Sequence, residues 1–426
     1  MVRQASLTSE LASLLGADAV LPEQARNTFA VDGVEPRAVV SPESADQVAE
    51  ALRYAHRERL AVIPWGGGSH MHIGNLPARY DIALSLGRLD TVTEHEPADL
   101  TVTVQAGITL VALQEHLAGA GQVLPLGPFP EARASVGGVL AAAASGPWRH
   151  AYGTARDWTI GLRVITADGR ITKAGGRVVK NVAGYDLCKL YIGSLGTLGV
   201  IVEATFKVVP LPQAQATLAL GFDSAGPACA LASESYGRGL GVRSAQLLDV
   251  GAGIELPKPF ALLVELAGSP LAVERSRREI ESLAAEAGAV PVGAVADASR
   301  PLSLLSPSSS RLVCKLTALP TRLPALVDAL ASLSPAPRLL AWPVAGILYA
   351  TWAEPSDPAA ALAAVRVAAA AEAGAGVVVE VCPVALKGGL DVFPDVSGPS
   401  FDLMRRVKQQ FDPEGVLSPG RFLGKL

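Results

Sequence analysis

The chain has 426 residues, of which 50% are hydrophobic and 18% are charged. This composition predicts packed cores and excludes a disordered chain, and the length favours more than one domain. The formal net charge is −4, and the basic residues are spread along the sequence. Binding to nucleic acid or to an anionic membrane surface is therefore not expected.

The cysteines and the hydropathy of the sequence indicate the cellular compartment of the protein. The four cysteines, at positions 188, 229, 314 and 382, form no CxxC motif, so they offer no ligand set for an iron–sulfur cluster or a zinc ion. Isolated cysteines are typical of a reducing compartment. No signal-peptide core and no run of about 18 uncharged apolar residues is found. The sequence therefore predicts a cytoplasmic protein with no direct membrane span.

Short strands, helices and turns are predicted along the first half of the chain. Ser44 is expected to cap a helix that runs to His56, and a second helix is predicted from Leu110 to Leu117. The pair Asp168-Gly169 between apolar runs predicts a hairpin. A long strand is expected from Val200 to Val209, because prolines follow it.

From residue 213 to residue 397, predicted strands alternate with predicted helices. Helical patterns at 271–287 and 322–332 separate apolar runs such as 261–265 and 312–317. This alternation favours an α+β domain with two similar halves. The last segment, 398–426, is expected to form a helix followed by a tail rich in proline and glycine.

Four glycine-rich turns carry the chemical signal of the sequence, and each lies beside a predicted strand. They are Gly66–Ser69, Ser135–Gly138, Tyr152–Gly153 and Gly193–Gly199. Glycine allows the backbone to approach a ligand closely, and successive N–H groups in such turns suit a pyrophosphate. The last run precedes a strand rather than following one, which disfavours a Rossmann fold. A cofactor site is predicted, with a core that simply contains tight turns as the alternative.

Together with Asp157, these turns resemble the FAD-binding domain of the vanillyl-alcohol oxidase-like, or PCMH-type, flavoproteins. The segments Lys180–Leu187 and Gly193–Ile201 are most similar to the 2-hydroxyacid branch, above all to the E-type FAD-binding subunit of bacterial glycolate oxidase. The tail Phe411–Arg421 is similar to the closing segment of the family. The resemblance implies an α+β fold: a two-part PCMH-type FAD-binding domain at 1–212, a smaller α+β (ferredoxin-like) cap at 213–397, and a C-terminal segment at 398–426 that returns to the FAD domain.

The resemblance also implies which residues contact FAD. The pyrophosphate would lie against Gly66, Gly67, Gly68 and Ser69, while the pyrophosphate, ribityl and ring region would run along Ser135, Gly137 and Gly138. The adenosine half or the flavin edge would meet Gly196, Gly199 and Ile201. The FAD-binding set is completed by Tyr152, Gly153, Asp157 and Arg421. A cation at Arg421 would stabilise a reduced, anionic flavin.

Departures from the family pattern limit the chemistry. Covalent members have histidine at the position of Ser69, so noncovalent FAD is expected, and Trp65 replaces the arginine that usually precedes the glycine loop. Related dehydrogenases hold a divalent metal with histidines of the cap, whereas all six histidines here precede residue 151. No metal site is therefore expected. The candidates for a catalytic base are His70, His150 and Tyr185. Lys387 in the cap could face the flavin and bind a carboxylate, but a loop lysine is more often solvated, so it is interpreted as a solvated residue.

The sequence thus predicts an FAD-binding subunit of a glycolate oxidase-like complex that acts on a small 2-hydroxyacid. Its predicted partners are a larger FAD subunit and an iron–sulfur subunit, through which the chain would reach any membrane. Two alternatives stay open. One is a self-sufficient FAD-dependent dehydrogenase of another substrate, and the other is a structural or assembly subunit with little or no flavin.

Overall fold

The computed structural model describes residues 2–127, 129, 131–176, 185–250, 257–292 and 297–426. The predicted motif residues from Lys180 to Gly184 lie outside the described residues. Within them, the chain forms an N-terminal domain built on two sheets, a cap built on one large sheet, and a C-terminal segment.

The N-terminal domain holds a parallel three-stranded sheet of order β1-β3-β2 and an antiparallel five-stranded sheet of order β4-β5-β9-β7-β8. A small ribbon pairs β6 with β10. The strands are β1 (Ala38–Val40), β2 (Val62–Trp65), β3 (Ile82–Ser85), β4 (Val92–Glu96), β5 (Thr101–Gln105), β6 (Gln122–Val123), β7 (Thr159–Ile165), β8 (Ile171–Gly175), β9 (Val200–Lys207) and β10 (Val209–Pro210). The helices are α1 (Val2–Leu15), α2 (Ala45–Glu58), α3 (Leu110–Ala118), α4 (Val136–Ala142), α5 (Arg149–Tyr152), α6 (Ala155–Trp158) and α7 (Cys188–Tyr191).

Local sequence signals explain several of these elements. The Ser44 side chain accepts a hydrogen bond from the Gln47 N–H and so caps α2, as predicted. The Thr109 side chain caps α3 in the same way. The hairpin predicted at Asp168-Gly169 is present, because β7 and β8 pair antiparallel around it and Gly169 adopts a φ of 76°.

The cap repeats one supersecondary unit twice. Each half runs strand, helix, strand, strand, helix, strand, and the sheet order β14-β11-β13-β12-β16-β17-β15-β18 places the two halves edge to edge. Each half therefore has the ferredoxin-like arrangement, which confirms the predicted fold class. The strands are β11 (Ala214–Phe222), β12 (Val242–Asp249), β13 (Phe260–Gly268), β14 (Val290–Pro291), β15 (Leu312–Thr317), β16 (Arg338–Trp342), β17 (Ile347–Trp352) and β18 (Gly376–Val381). The helices are α8 (Ala225–Gly237), α9 (Pro270–Glu286), α10 (Leu323–Ala331), α11 (Pro358–Ala370) and α12 (Val384–Lys387).

The cap sheet uses its two faces differently. Helices α8 to α11 cover one face and bury its main apolar core. On the opposite face, a smaller cluster forms around Trp342 and Tyr349. The N-terminal domain reaches the cap through Trp148, whose ring lies 4.5 Å from the Arg243 guanidinium, and through Glu131, which accepts a 2.7 Å hydrogen bond from Ser306.

The C-terminal segment packs on the N-terminal domain. Its helix is α13 (Pro399–Phe411), and beyond it the Val62 and Leu417 backbones form a parallel bridge beside β2. The buried Asp412 carboxylate accepts 2.8 Å hydrogen bonds from the N–H groups of Val416 and Leu417 and one of 2.6 Å from Lys408. Asp412 therefore fixes the turn that brings residues 416–421 to the glycine loop.

Among the described residues, no helix is both long enough and apolar enough to span a bilayer.

Replacing the buried Asp412 is expected to destabilise the protein. The side chain is fully buried and paired with Lys408, so Asp412→Asn leaves a buried ammonium group without its counter-charge. Breaking a buried pair in this way costs about 3–5 kcal/mol. The free energy of unfolding in urea measures the effect.

The matched control is Asp402→Asn, because Asp402 forms an exposed ion pair with Arg405 on the same helix. Its expected cost is below about 1 kcal/mol. Equal stability of the two variants would contradict this account of the C-terminal turn.

Candidate functional site

Three adjoining pockets, together called the cleft, extend from the inner end of the glycine turns to the boundary with the cap. Its inner part is lined by Gly199 and Ile201, and the inner and middle parts share Gly66, Gly138 and Gly196. The middle and outer parts share residues around Ser69 and His70, and the outer part is closed by side chains of the cap. Most of the predicted FAD-binding set lines the inner and middle parts of this cleft: Gly66, Gly67, Gly68, Ser69, Ser135, Gly137, Gly138, Gly196, Gly199, Ile201 and Arg421.

The first two glycine turns pack so closely that side chains are excluded. A Cβ atom on Gly67 would lie 1.6 Å from the Arg133 carbonyl oxygen, and one on Gly66 would lie 1.9 Å from Ser135 Oγ. Ser135 Oγ accepts hydrogen bonds from the N–H groups of Gly67 and Gly138, at 3.2 and 3.3 Å. The serine thus caps α4 and ties the two turns together.

These turns can hold a phosphate-bearing cofactor. In the described part of the chain, the backbone N–H groups of Gly66 and Gly68 donate no hydrogen bond to another protein group. Both residues line the cleft, and Gly68 has a φ of 74°. Such N–H groups are suited to an anion. Farther in, a Cβ atom on Gly199 would lie 2.5 Å from Val164 Cγ1, which keeps that wall of the cleft flat.

Three of the predicted FAD contacts, Tyr152, Gly153 and Asp157, are not among the described residues that line these three pockets. Asp157 caps α6, since its carboxylate accepts a 2.7 Å hydrogen bond from the Thr154 N–H. Burial raises the pKa of Asp157, but hydrogen bonds from the Thr154 N–H and hydroxyl, together with nearby Lys189 and Arg156, hold it below its usual value.

Arg421 lines the cleft, but its guanidinium is already engaged. It donates to the carbonyl oxygens of Met71 and Asn75, at 2.7 and 2.9 Å, and it lies 3.3 Å from the Asp32 carboxylate. Lys387 of the cap donates 2.7 Å bonds to Asp32 and to the His72 carbonyl. Lys387 is buried, so the interpretation of it as a solvated lysine is wrong.

Trp65, which stands in place of the family arginine, has a packing role. Its indole N–H donates a 2.7 Å hydrogen bond to the Tyr80 hydroxyl. Its ring meets Phe29 edge-on at 5.1 Å. Trp65 therefore packs against Gly68 and helps to hold the glycine loop in position.

The three candidate bases have different surroundings. His70 lines both the middle and the outer cleft, and its Nδ1 lies 2.8 Å from Ser69 Oγ. Burial lowers its pKa to about 4, so the ring is neutral at physiological pH. His150 is buried against Tyr236 of the cap and does not line the cleft. The Tyr185 side chain is 94% exposed.

The outer end of the cleft contains polar cap residues that sequence reasoning missed. They are Lys315 of β15, Tyr349 of β17 and Glu380 of β18, opposite Glu131 of the N-terminal domain. The available signal was a charged residue inside an otherwise apolar predicted strand, which occurs at both Lys315 and Glu380. The described residues contain no group of three potential metal ligands among His, Cys, Asp and Glu.

Family comparisons agree with this arrangement. The FAD binding domain family matches residues 36–175, and the C-terminal domain of FAD linked oxidases matches residues 395–422. The fold is similar to that of 4-ethylphenol oxidase from Gulosibacter chungangensis, with a TM-score of 0.74, 16% identity and coverage of 99% of this chain and 97% of that one. FAD is the cofactor of this domain.

Curated relatives cover part of the chain. Glycolate oxidase subunit GlcD of Bacillus subtilis is 29% identical over 60% of this chain and 57% of its own length. D-2-hydroxyglutarate dehydrogenase of Xanthomonas citri is 35% identical over 44% of this chain and 40% of its own. Glycolate oxidase subunit GlcE of Escherichia coli is 42% identical over 30% of this chain and 37% of its own.

The chain thus spans 57% or less of the length of these three relatives. The match to GlcD extends over twice as much of this chain as the match to GlcE, 60% against 30%. The finer prediction of an E-type subunit therefore stays a prediction.

Acidification is expected to destabilise the fold through its buried histidines. Burial lowers the pKa of His150 to about 4 and that of His72 to about 3, from an ordinary 6.5. Below pH 6.5 the unfolded chain binds protons that the folded protein does not, so stability falls between pH 6.5 and about 4. The free energy of unfolding, compared at about pH 7 and about pH 5, measures this loss.

His150→Gln is expected to lose less stability over that interval, since glutamine does not titrate. His116→Gln, at an exposed position on α3, should keep the dependence of the unchanged protein. A His150 variant with the full dependence would count against burial of a neutral imidazole there.

Proposed function

We propose that this chain, a member of the FAD-dependent oxidoreductases, oxidises a small 2-hydroxyacid and does so as a subunit of a glycolate oxidase-like complex. The observation that carries the proposal is the row of adjoining pockets that extends from the glycine turns to a polar chamber under the cap. The named relatives act on glycolate or on D-2-hydroxyglutarate, and these substrates share a hydroxyl group beside a carboxylate.

Different residues of the cleft would have different roles. Gly66, Gly68 and Ser135 would hold the pyrophosphate and the chain beyond it, because they lie where two turns converge. Gly199 and Ile201 would bound the inner half of the cofactor. When bound, FAD would act as the two-electron oxidant of the carbon that bears the hydroxyl group. The cap covers the outer end and limits the access of water there, which strengthens the interactions of charged groups.

His70 is the residue we assign as acceptor of the hydroxyl proton. It lies at the junction between the cofactor part and the outer part of the cleft. Burial lowers its pKa to about 4, so the ring is unprotonated at physiological pH, as a base must be, but it is a weaker base than a free imidazole. The bond to Ser69 holds the orientation of the ring.

The reduced cofactor needs an acceptor for its electrons. The four cysteines are free, and three of them are buried, so they do not assemble a cluster in this chain. Similarity to GlcD and GlcE supports partners of the glycolate oxidase type. A larger FAD subunit and an iron–sulfur subunit are the partners proposed, and FAD is proposed to be bound noncovalently.

Loss of close packing at the glycine turns should reduce cofactor binding. In Gly67→Ala the new methyl group collides with the Arg133 backbone, so the turns move apart and the FAD content of the purified protein falls. Flavin absorbance per protein chain is the measurement, with circular dichroism to show that the fold is intact.

Gly226→Ala is the control, because a Cβ atom there meets nothing within 4 Å. It should retain full FAD content. Full FAD content in a folded Gly67→Ala variant would remove these turns as the pyrophosphate site.

Glycolate added without oxygen to the FAD-loaded chain tests the function. Bleaching of the flavin by glycolate alone would place the oxidation in this chain, and His70→Gln should slow it by about 10²–10⁴-fold, the range for general base catalysis. His116→Gln is the control on an exposed histidine.

An unbleached flavin that becomes reduced once the partner subunits are added would assign this chain to electron relay. No reduction by glycolate, lactate or 2-hydroxyglutarate, with or without partners, would contradict the proposal. A folded chain that takes up no FAD would favour the structural-subunit alternative.

A further inference from the structure

A partly buried cation stands at the outer end of the cleft. Lys315 of β15 faces Tyr349 directly across the strand pair β15–β17, and Lys315 Nζ lies 5.8 Å from the tyrosine ring centroid. Both residues line the cleft rather than the helix-covered face of the cap sheet. Cap strands that are otherwise apolar thus present one ammonium group to the N-terminal domain.

A β-bulge brings a carboxylate to the same place. The pairing of β15 with β18 shifts register between Val313 and Cys314, so that Val381 and Val379 are consecutive partners and Glu380 has none. The extra residue redirects its side chain, and Glu380 Oε1 lies 3.4 Å from Lys315 Nζ. Bulges of this kind are common beside active sites.

The charges of the chamber leave Lys315 able to take a second anionic partner. An ammonium group has three donors, and the contact with Glu380 is longer than a strong charged hydrogen bond of about 2.8 Å. Arg149 adds positive potential from the N-terminal domain. The nearby Glu131 already accepts from Ser306 at 2.7 Å and pairs with Arg133 at 3.6 Å.

We propose that Lys315 binds the carboxylate of the 2-hydroxyacid, and that the ligand competes with Glu380 for the same ammonium group. The inference rests on the proposed function. A carboxylate bound at Lys315 would place the neighbouring carbon, with its hydroxyl group, in the outer part of the cleft that His70 also lines. The walls formed by Phe129 and Leu305 keep the space suited to a small acid.

Oxalate is the probe, because it has a carboxylate of the right size and no hydroxyl group to oxidise. Its dissociation constant is measured on the FAD-loaded protein by calorimetry and by the change in the flavin spectrum. Lys315→Met should weaken binding by about 10- to 100-fold, the worth of a hydrogen bond to a charged group. Lys315→Arg should restore part of it, since the charge is kept.

Glu380→Gln is expected to change the oxalate affinity in the opposite direction. It also tests the proposal if the Lys315→Met variant does not fold. Removing the competing carboxylate leaves the ammonium group to the ligand, so oxalate should bind several-fold more tightly. A purely structural ion pair would predict unchanged or weaker binding in this variant. Lys258→Met is the matched control, because Lys258 is a cap lysine paired with Asp223 at 2.9 Å outside the cleft lining.

The outcomes separate this inference from the function on which it rests. Glycolate reduction of the unchanged protein together with equal oxalate affinity in Lys315→Met would overturn the carboxylate site alone. Glu380→Gln with weakened affinity would also overturn it. Neither oxalate binding nor flavin reduction by any 2-hydroxyacid in the unchanged protein would overturn both proposals.

Discussion

The closest backbone approach in the cleft is the constraint on which the site depends. Residue 67 must lack a side chain because the Arg133 carbonyl oxygen occupies that position, and Gly66 meets Ser135 in the same way. This contact brings a loop after β2 against the start of α4, two segments far apart in sequence. Ser135, which caps α4, accepts a hydrogen bond from the Gly67 N–H at this contact and so ties the two turns together.

A second constraint is the buried charge network at Asp32. Lys387 comes from the cap and Arg421 from the C-terminal segment, and both reach one carboxylate near the N-terminus. Buried ions of this kind are weak evidence for net stability, since desolvation offsets their attraction. Their effect here is on geometry. Lys387 also donates to the His72 carbonyl oxygen and Arg421 to the Met71 carbonyl oxygen, so both side chains hold the loop that carries His70 and His72. Arg421 is therefore a positioning group as much as a wall of the cleft.

The cap covers the cleft and also contributes side chains to it. Two ferredoxin-like halves joined through β12 and β16 place their helices on one side and leave the other face of the sheet for the N-terminal domain. A single bulge in β18 then converts part of that apolar face into a charged chamber. The proposed binding of a substrate carboxylate under the cap therefore depends on a lysine, a tyrosine and a glutamate rather than on histidines.

Sequence by itself determined the features that depend on local geometry. The cap at Ser44, the hairpin at Asp168-Gly169 and the glycine turns could be predicted because capping, turns and positive φ are properties of a few adjacent residues. Strand and helix alternation was likewise enough for the class of the cap. Only the tertiary structure decided which glycine turns converge, that Asp157 caps a helix outside the cleft, and that Lys387 is buried. It also decided that Lys315 and Glu380 meet, because their contact depends on a bulge and on strand pairing across 65 positions of chain, which no local pattern encodes.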